Sequence, residues 1–265
     1  DFSVNDTGNE FFQETYEGVI RKLLLWKSKP AVVLLNNVFY DTGVNAQEYH
    51  NAVGDWYGIP HVSNKDTLYQ KMKQGMYKRE ELTPDGLHPN DKGHGLVAEE
   101  VIAFLENVKQ EMDVVEEEEV IPDPMTENAY EQAKRLTIRE ASPELLGFRA
   151  DTEEKLGHLD HFKNGWIGKR AGDKICFTVK ASCIAVQYRK TLKKPALRAK
   201  LILDGDMENA KILDGNFDEN WGDCLYLESV LHHGEYAEHT IEIQIVKEDD
   251  EQNRTPFYLM SLIIS

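Results

Sequence analysis

Apolar residues recur at two different periods along the chain, and the change of period predicts two domains. Up to about residue 112 they follow helical spacing, interrupted by short apolar runs that are typical of buried strands. From about residue 143 they alternate at a period of two, which is typical of antiparallel strands. We therefore predict domains over residues 1–112 and 143–265, joined by a linker over residues 113–142.

Helices and strands are predicted to alternate in the first domain. The expected elements are a helix through Phe12 and Leu23 after an Asn9 cap, a buried strand Ala31–Leu35, a helix Ala46–Tyr57, a short strand His61–Ser63, a weak helix over 67–77, and a long amphipathic helix from near Asn90 to Met112. The opening residues, Asp1–Val4, are interpreted as the end of another strand. This order favours an α/β fold. Two or three strands are fewer than such a sheet normally has, so this half is expected to lack part of its own core.

The second domain is predicted to be an antiparallel β-sandwich, similar to a jelly roll. Turn signals such as Asp204-Gly205-Asp206 and Asp214-Gly215-Asn216 separate its apolar segments. The expected strands are Lys174–Val179, Ser182–Tyr188, Ala199–Leu203, Cys224–Leu231, Thr240–Val246 and Phe257–Ile264.

The net charge of the chain argues against two classes of partner, nucleic acids and membranes. The chain carries a formal net charge of −17, and part of it is concentrated in the predicted linker, which contains the run Glu116–Glu119. An acidic surface repels phosphate backbones and anionic headgroups, so we expect neither a nucleic acid nor a membrane as partner. No signal peptide is visible, which favours the cytoplasm. The three cysteines, Cys176, Cys183 and Cys224, are odd in number and lie amid apolar residues of the C-terminal half, so they do not indicate a disulfide framework.

The segment Asp85-Gly86-Leu87-His88-Pro89-Asn90 is the strongest candidate for chemistry. Asp85 and His88 lie three residues apart across a glycine turn, so both side chains can point the same way. The carboxylate can then accept the Nδ1 proton and leave Nε2 free to take a proton from a nucleophile. Asp91 and His94 repeat this spacing, but they fall at the start of the last predicted helix and have no comparable turn.

The segment becomes a stronger candidate for catalysis because a second sequence block precedes it along the chain. Asn5 follows the predicted strand Asp1–Val4, and the Asp85–His88 block comes just before a long amphipathic helix. Together these blocks resemble the SGNH or GDSL hydrolases. The resemblance implies that Asn5 helps to form an oxyanion hole and that Asp85 and His88 belong to a catalytic triad. It also implies a fold, namely the C-terminal part of a flavodoxin-like three-layer α/β domain.

The nucleophile block of that family precedes the asparagine block, and no residue of this chain matches it. We therefore expect the serine on the N-terminal part of the same hydrolase domain, present as another chain or missing. Gly222-Asp223-Cys224-Leu225 imitates the nucleophile motif, but it follows a polar stretch in the β domain rather than a buried strand.

Aromatic residues near both regions are candidates for substrate binding. Phe39 and Tyr40 leave a predicted strand at the end where Asn5 and His88 are expected, and ordinary loop packing is the alternative. Trp221 lies among acids and amides, a mixture that sugar sites use, and a place in the sandwich core is the alternative. No metal-ligand spacing occurs, so we expect no metal and no cofactor.

These observations favour a serine esterase that removes small acyl groups from a carbohydrate, with acetyl as the expected group. The β domain is similar to accessory sandwiches of some bacterial carbohydrate esterases of this type. Two alternatives stay open. One is a noncatalytic carbohydrate-binding protein, and the other is a lipase or thioesterase that acts on a non-sugar acyl ester.

Overall fold

A computed structural model of the chain describes residues 1–111, 120–158, 160–249 and 253–265. The chain divides into two compact units, Asp1–Glu131 and Gln132–Ser265. The unit boundary falls within the segment predicted to be a linker, and the acidic run Glu116–Glu119 lies outside the described residues. Among the described helices, none is both long and apolar enough to cross a membrane.

The first unit is built from helices around one pair of short parallel strands. Its elements are α1 (Glu10–Leu24), β1 (Leu34–Asn36), α2 (Gln47–Trp56), β2 (His61–Ser63), α3 (Leu68–Lys73), α4 (Arg79–Leu82) and α5 (Asp91–Glu111). The predicted cap of the first helix is confirmed, because Asn9 Oδ1 accepts a hydrogen bond from the Phe12 amide at 3.0 Å. Strands β1 and β2 pair in parallel with Leu34 opposite His61.

The predicted three-layer α/β fold is wrong. Such a fold needs a broad central sheet with helices on both faces, whereas the described part of the first unit contains a sheet of only two three-residue strands. The predicted strand Asp1–Val4 is a turn, and the predicted strand Ala31–Leu35 starts only at Leu34. Most regular structure lies instead in the β strands of the second unit.

Two small apolar clusters form the core of the first unit. One gathers Tyr16, Ile20, Leu34, Val53 and Ile59, and the other joins Val38, Tyr40, Leu68 and Leu82. Many large apolar side chains of this unit remain exposed: Phe2, Val19, Leu25, Trp26, Val33, Trp56, Ile102, Leu105 and Val108. The unit therefore covers only part of the apolar surface that its sequence provides.

Residues 120–131 pack against α1 in the first unit. The carboxylate of Glu17, which is fully buried, accepts hydrogen bonds from the amides of Met125 at 2.6 Å and Thr126 at 2.8 Å. It also accepts short hydrogen bonds from the Thr126 and Tyr57 hydroxyls. Arg21 adds an ion pair with Glu131 at 2.6 Å. These bonds fix the chain at the point where it leaves the unit.

The second unit is an antiparallel sandwich of two sheets, which confirms the prediction for this half of the chain. The strands are β3 (Lys134–Leu136), β4 (Glu144–Leu146), β5 (Arg149–Ala150), β6 (Trp166–Gly168), β7 (Lys174–Ala181), β8 (Ile184–Lys190), β9 (Arg198–Leu203), β10 (Lys211–Asp214), β11 (Cys224–Leu231), β12 (Ala237–Ile245) and β13 (Phe257–Ile264). One sheet has the order β10-β9-β12-β7-β4. The other has the order β11-β8-β13-β6-β5, with β3 also paired to β13.

Alternate residues of both sheets meet in a single core. Trp166, Ile175, Tyr188, Ile241 and Leu259 are among its members, and each is at most 2% exposed. Burial of such side chains contributes roughly 1.5–3 kcal/mol each relative to full exposure, so this core is the main source of stability in the unit. All three cysteines are free thiols.

Candidate functional site

The loop between α4 and α5 folds around the carboxylate of Asp85. Asp85 Oδ1 accepts hydrogen bonds from the amides of Leu87 at 2.9 Å and His88 at 2.8 Å, while Thr83 Oγ1 donates to it at 3.1 Å. Short polar side chains favour such turns because they bond to the backbone two or three residues further on. The other carboxylate oxygen, Oδ2, is thereby aimed at the His88 ring, with Nδ1 at 2.7 Å.

The Asp85–His88 contact sets the charge and the tautomer of the pair. The hydrogen bond with His88 is the largest influence on Asp85 and, with the two backbone amides, holds the pKa of its carboxyl well below the usual range. An ionised carboxylate at Nδ1 keeps the proton on that nitrogen and leaves Nε2 as the base. Among the described residues nothing bonds to Nε2, and the His88 side chain is 77% exposed. The base is therefore accessible to an incoming group.

Gly86 fastens this loop to the segment that follows β1. Its φ is +86°, and a Cβ at this position would lie 2.1 Å from Asp41 Oδ2. The Gly86 carbonyl accepts a hydrogen bond from the Tyr40 amide at 2.7 Å, and Arg79 holds the Asp41 carboxylate at 3.0 Å. A glycine is needed both for the positive φ and for the close approach.

The second Asp-x-x-His pair is arranged differently. Asp91 and His94 lie within the first turn of α5, and no hydrogen bond joins their side chains in the described structure. Asn90 caps this helix, since its Oδ1 accepts from the Gly93 amide at 3.0 Å. The helical backbone and its cap therefore account for this segment without an acid–base pair.

Asn5 lies in an exposed turn, and the residue that follows it is held by a buried side chain. Its amide bonds to the Phe2 carbonyl at 2.9 Å, and its side chain has no partner among the described residues. The next residue, Asp6, places Oδ2 at 3.0 Å from Nε2 of the buried His50. No hydrogen bond links Asn5 to Asp85 or His88, so the structure brings the acid and the base together but does not join Asn5 to them.

A cluster of amides at the carboxyl ends of β1 and β2 was not singled out from the sequence. Asn64 Nδ2 donates to Asn37 Oδ1 at 2.6 Å, and Asn45 Nδ2 and Ser3 Oγ donate to the Asn37 carbonyl at 2.8 and 3.0 Å. The buried Asn64 Oδ1 has no partner among the described residues. The signal was available, because Asn37 directly follows β1 and Asn64 directly follows β2. Polar groups at this edge of parallel strands are typical of a binding site.

Two crystal structures of a two-domain esterase (CEX) active on acetylated mannans are similar to this chain. The structure co-crystallized with mannopentaose shares 44% sequence identity at a TM-score of 0.93, and the match covers 99% of this chain and 70% of that one. The other structure shares 44% identity at a TM-score of 0.95 and covers 99% and 71%. The chain belongs to the family of this two-domain esterase. No protein-family model matches it, and no curated protein does.

Family membership makes the chain a carbohydrate esterase with an accessory β domain, and it leaves the individual site residues to be judged from their geometry. Tyr40 is 4% exposed and packs with Val38 and Leu82, and burial raises the pKa of its hydroxyl. The hydroxyl has no partner among the described residues. Phe39 is half-buried in the turn that closes with the Phe39–Val44 backbone hydrogen bond. Both stay predictions for substrate binding, and Tyr40 also supports the Asp85–His88 loop.

Trp221 lies in the second unit of this esterase. Its side chain is exposed, 63%, and its indole meets the Phe217 ring edge-on at 5.0 Å. The indole Nε1 donates to Glu219 at 2.5 Å. An exposed ring with polar neighbours suits a sugar, and the substrate-binding role stays a prediction.

The imitation of a nucleophile motif at Cys224 has the wrong electrostatics. Cys224 is the first residue of β11, and burial raises the pKa of its thiol. A thiol acting as nucleophile needs a lowered pKa and a base beside it. No hydrogen bond to Cys224 Sγ from an imidazole is described, so the residue is interpreted as part of the strand.

Proposed function

We propose that this chain provides the acid–base pair and an oxyanion donor of an SGNH-type serine esterase that removes acetyl groups from a mannan-type carbohydrate. The observation that carries the proposal is the 2.7 Å contact between Asp85 Oδ2 and His88 Nδ1, with Nε2 open to solvent. A tight carboxylate–imidazole pair of this kind is what a hydroxyl nucleophile needs for activation.

The reaction follows from the free nitrogen of His88. A serine hydroxyl attacks the acetyl carbonyl while His88 Nε2 takes the hydroxyl proton, and the tetrahedral intermediate collapses as Nε2 returns that proton to the departing sugar oxygen. Water then attacks the acetyl-enzyme in the same way, which releases acetate and restores the serine. Asp85 orients the ring and stabilises its cation. Asn5 donates its amide N–H to the oxyanion, a contribution of about 3 kcal/mol to the barrier in comparable sites.

The serine is proposed to lie outside this sequence. Ser3 Oγ is committed to Asp1 at 2.8 Å and to the Asn37 carbonyl at 3.0 Å, and Ser63 Oγ is committed to Gln47 at 2.7 Å. The exposed apolar side chains of the first unit offer a surface on which further polypeptide would pack. The solved relatives are longer than this chain, which matches about 70% of their length.

The substrate is proposed from the relatives and from the exposed aromatic residue of the sandwich. The two solved structures belong to an esterase active on acetylated mannans, and one was crystallised with mannopentaose. Trp221 presents an exposed ring face of the kind that stacks on the C–H surface of a sugar. Acetylated mannan is therefore the first substrate to test.

The decisive experiment compares two histidines that share one spacing. In the intact gene product, His88→Ala is expected to lower kcat on acetylated mannan and on p-nitrophenyl acetate by at least about a thousandfold. His94→Ala removes another exposed imidazole, from the second Asp-x-x-His pair, and is expected to leave kcat unchanged. Circular dichroism must show both variants folded. Retained activity in His88→Ala, or an equal loss in His94→Ala, would sink the proposal.

A further inference from the structure

The outer face of the six-stranded sheet carries a row of residues, mostly polar, that the esterase reaction does not use. Arg149 pairs with Ile167, and Ile167 pairs with Tyr258 across β5, β6 and β13. Arg189 follows Tyr188 on β8, which pairs with Leu259, so Arg189 continues the row beyond Tyr258. The alternating residues, Tyr188 and Leu259 among them, point into the core. The row therefore lies on the opposite face of the sheet.

A loop crosses this face and leaves a cleft beside it. The Tyr258 hydroxyl donates to the buried Asp151 at 2.8 Å and accepts from the Gly165 amide at 3.1 Å. The Phe162 ring meets the Tyr258 ring edge-on at 6.0 Å. Between loop and sheet lies a cleft of about 260 Å³, lined by Arg149, Asp151, Glu153, Phe162, Lys163, Ile167, Lys169, Arg189, Pro256 and Tyr258.

Arg189 lies beside two rings in this cleft with most of its donors unused. Its guanidinium is 5.7 Å from the Phe162 centroid and 5.5 Å from the Tyr258 centroid. Nη2 donates to the Pro256 carbonyl at 3.1 Å, and the nearest carboxylate oxygen, on Asp223, is 3.9 Å from Nε. A guanidinium has five N–H donors, so several remain for a ligand. Burial lowers the pKa of Arg189 despite the field of Asp223, which indicates incomplete compensation of its charge.

The other charges of the cleft leave a cationic excess. The two carboxylates are engaged, since Glu153 pairs with Lys163 at 2.5 Å and Asp151 accepts from Tyr258. Arg149 and Lys169 are exposed, and their side chains have no partner among the described residues. The lining thus holds four cations, Arg149, Lys163, Lys169 and Arg189, against two carboxylates, and this excess contrasts with a chain whose net charge is −17. The cleft therefore attracts anions.

We propose that this cleft binds a small organic carboxylate, with Arg189 holding the carboxylate and Arg149 and Lys169 at the rim. A planar guanidinium matches a carboxylate in a two-point hydrogen bond, and the Phe162 and Tyr258 rings pack beside it. Phe162, Ile167 and Pro256 give the cleft an apolar side that fits a carbon skeleton rather than inorganic phosphate. Its volume is below that of most drug-sized sites, so the ligand is a small molecule or one charged group of a larger one.

Isothermal titration calorimetry on the intact gene product tests the site at constant ionic strength, with cyclohexanecarboxylate as probe. Neutral cyclohexanemethanol measures the apolar contribution, while acetate and inorganic phosphate separate a bare carboxylate from a phosphate. Saturable one-to-one binding is expected for cyclohexanecarboxylate, weaker binding for acetate, and none for the alcohol. If phosphate binds more tightly than cyclohexanecarboxylate, or no carboxylate gives a saturable isotherm, the proposal fails.

Variants locate the site and keep the test independent of the esterase reaction. Arg149→Gln and Lys169→Gln are exposed changes, and each is expected to weaken binding about threefold. Arg189→Gln is expected to weaken it about thirtyfold or more. Arg170→Gln removes the neighbouring exposed cation outside the cleft and is expected to change nothing. An equal effect of Arg170→Gln and the rim variants on binding would refute the site. If Arg189→Gln does not fold, the two rim variants, Arg149→Gln and Lys169→Gln, still test the proposal. Binding is measured without turnover, so its failure is distinguishable from a failure of the proposed function.

Discussion

His50 Nε2 lies 3.0 Å from the carboxylate of Asp6, the residue that directly follows Asn5. His50 is buried in α2, and its ring stacks on Tyr16 with centroids 3.8 Å apart and planes 7° from parallel. A buried side chain on a helix thus holds the exposed turn that carries the proposed oxyanion donor. We infer that, through Asp6, His50 positions Asn5.

We therefore predict that His50→Phe lowers kcat of the intact esterase about tenfold while KM changes little. The phenyl ring preserves the stack on Tyr16 and removes only the bond to Asp6. Because the effect passes through Asn5, it should vanish in an Asn5→Ala background, which a double-mutant cycle of kcat measures. An equal loss in both backgrounds would assign His50 a merely structural role.

We predict that replacing Gly86 lowers activity more than the strain of its positive φ alone would. In Gly86→Ala the new Cβ meets both a positive φ and Asp41 Oδ2 at 2.1 Å, so the loop must move and separate Asp85 and His88 from their present positions. The matched control is Gly75→Ala, where φ is +82° but no atom lies within 4 Å of the new Cβ. The control should cost about 1 kcal/mol of unfolding free energy and leave kcat intact. If denaturant unfolding and kcat respond alike in both variants, the packing argument is wrong.

Glu17 predicts an acid-dependent stability of the first unit. Burial alone would raise the pKa of its carboxyl, but hydrogen bonds from Thr126, Tyr57 and Met125 outweigh burial and lower it from 4.5. A lowered folded-state pKa stabilises the fold fully above the unfolded value, and the contribution is lost as pH falls from about 4.5 through the folded value.

Glu17→Gln should accordingly cost about 1–3 kcal/mol at pH 7 and flatten the stability curve below pH 4.5. Urea unfolding at several pH values measures both effects. Glu10→Gln, an exposed change on the same helix, is the control and should alter neither. An unchanged acid limb in Glu17→Gln would mean that another carboxylate is responsible.

His239 gives the second unit a contribution to stability that is lost as pH rises, opposite to the effect of Glu17 in the first unit. Its Nδ1 lies 2.7 Å from Asp204 Oδ2, and this bond, with that to the Glu235 carbonyl, raises the pKa of the imidazole above 6.5. A raised folded-state pKa stabilises the fold below the unfolded value and loses that contribution as pH rises through the folded value. Thermal unfolding between pH 5 and 9 should show this decline in the parent and lack it in His239→Gln. His161→Gln, another histidine of the unit, should retain the decline.

Sequence reasoning succeeded where the relevant contacts are local. Asn9 caps α1 and Asp85 contacts His88, and in both cases the partner lies three positions further along the chain. Such spacing is visible in the sequence. It failed for the three-layer fold, because alternation of helices and strands predicts element types and not how many strands pair. The bonds of Glu17 to residues more than a hundred positions away, and the row that joins Arg149 to Arg189, depend on tertiary register that no local pattern encodes.

The hydrogen bonds received by Glu17 also decide where this protein can be divided. A cut within the acidic run would remove Met125 and Thr126, and the carboxylate would remain buried with Tyr57 as its only hydroxyl donor among those described. A buried charge that loses its donors is strongly destabilising. A cut after Glu131 keeps every one of them. An isolated first unit prepared for study should therefore retain residues 120–131 and treat them as part of the esterase half, not as a tether.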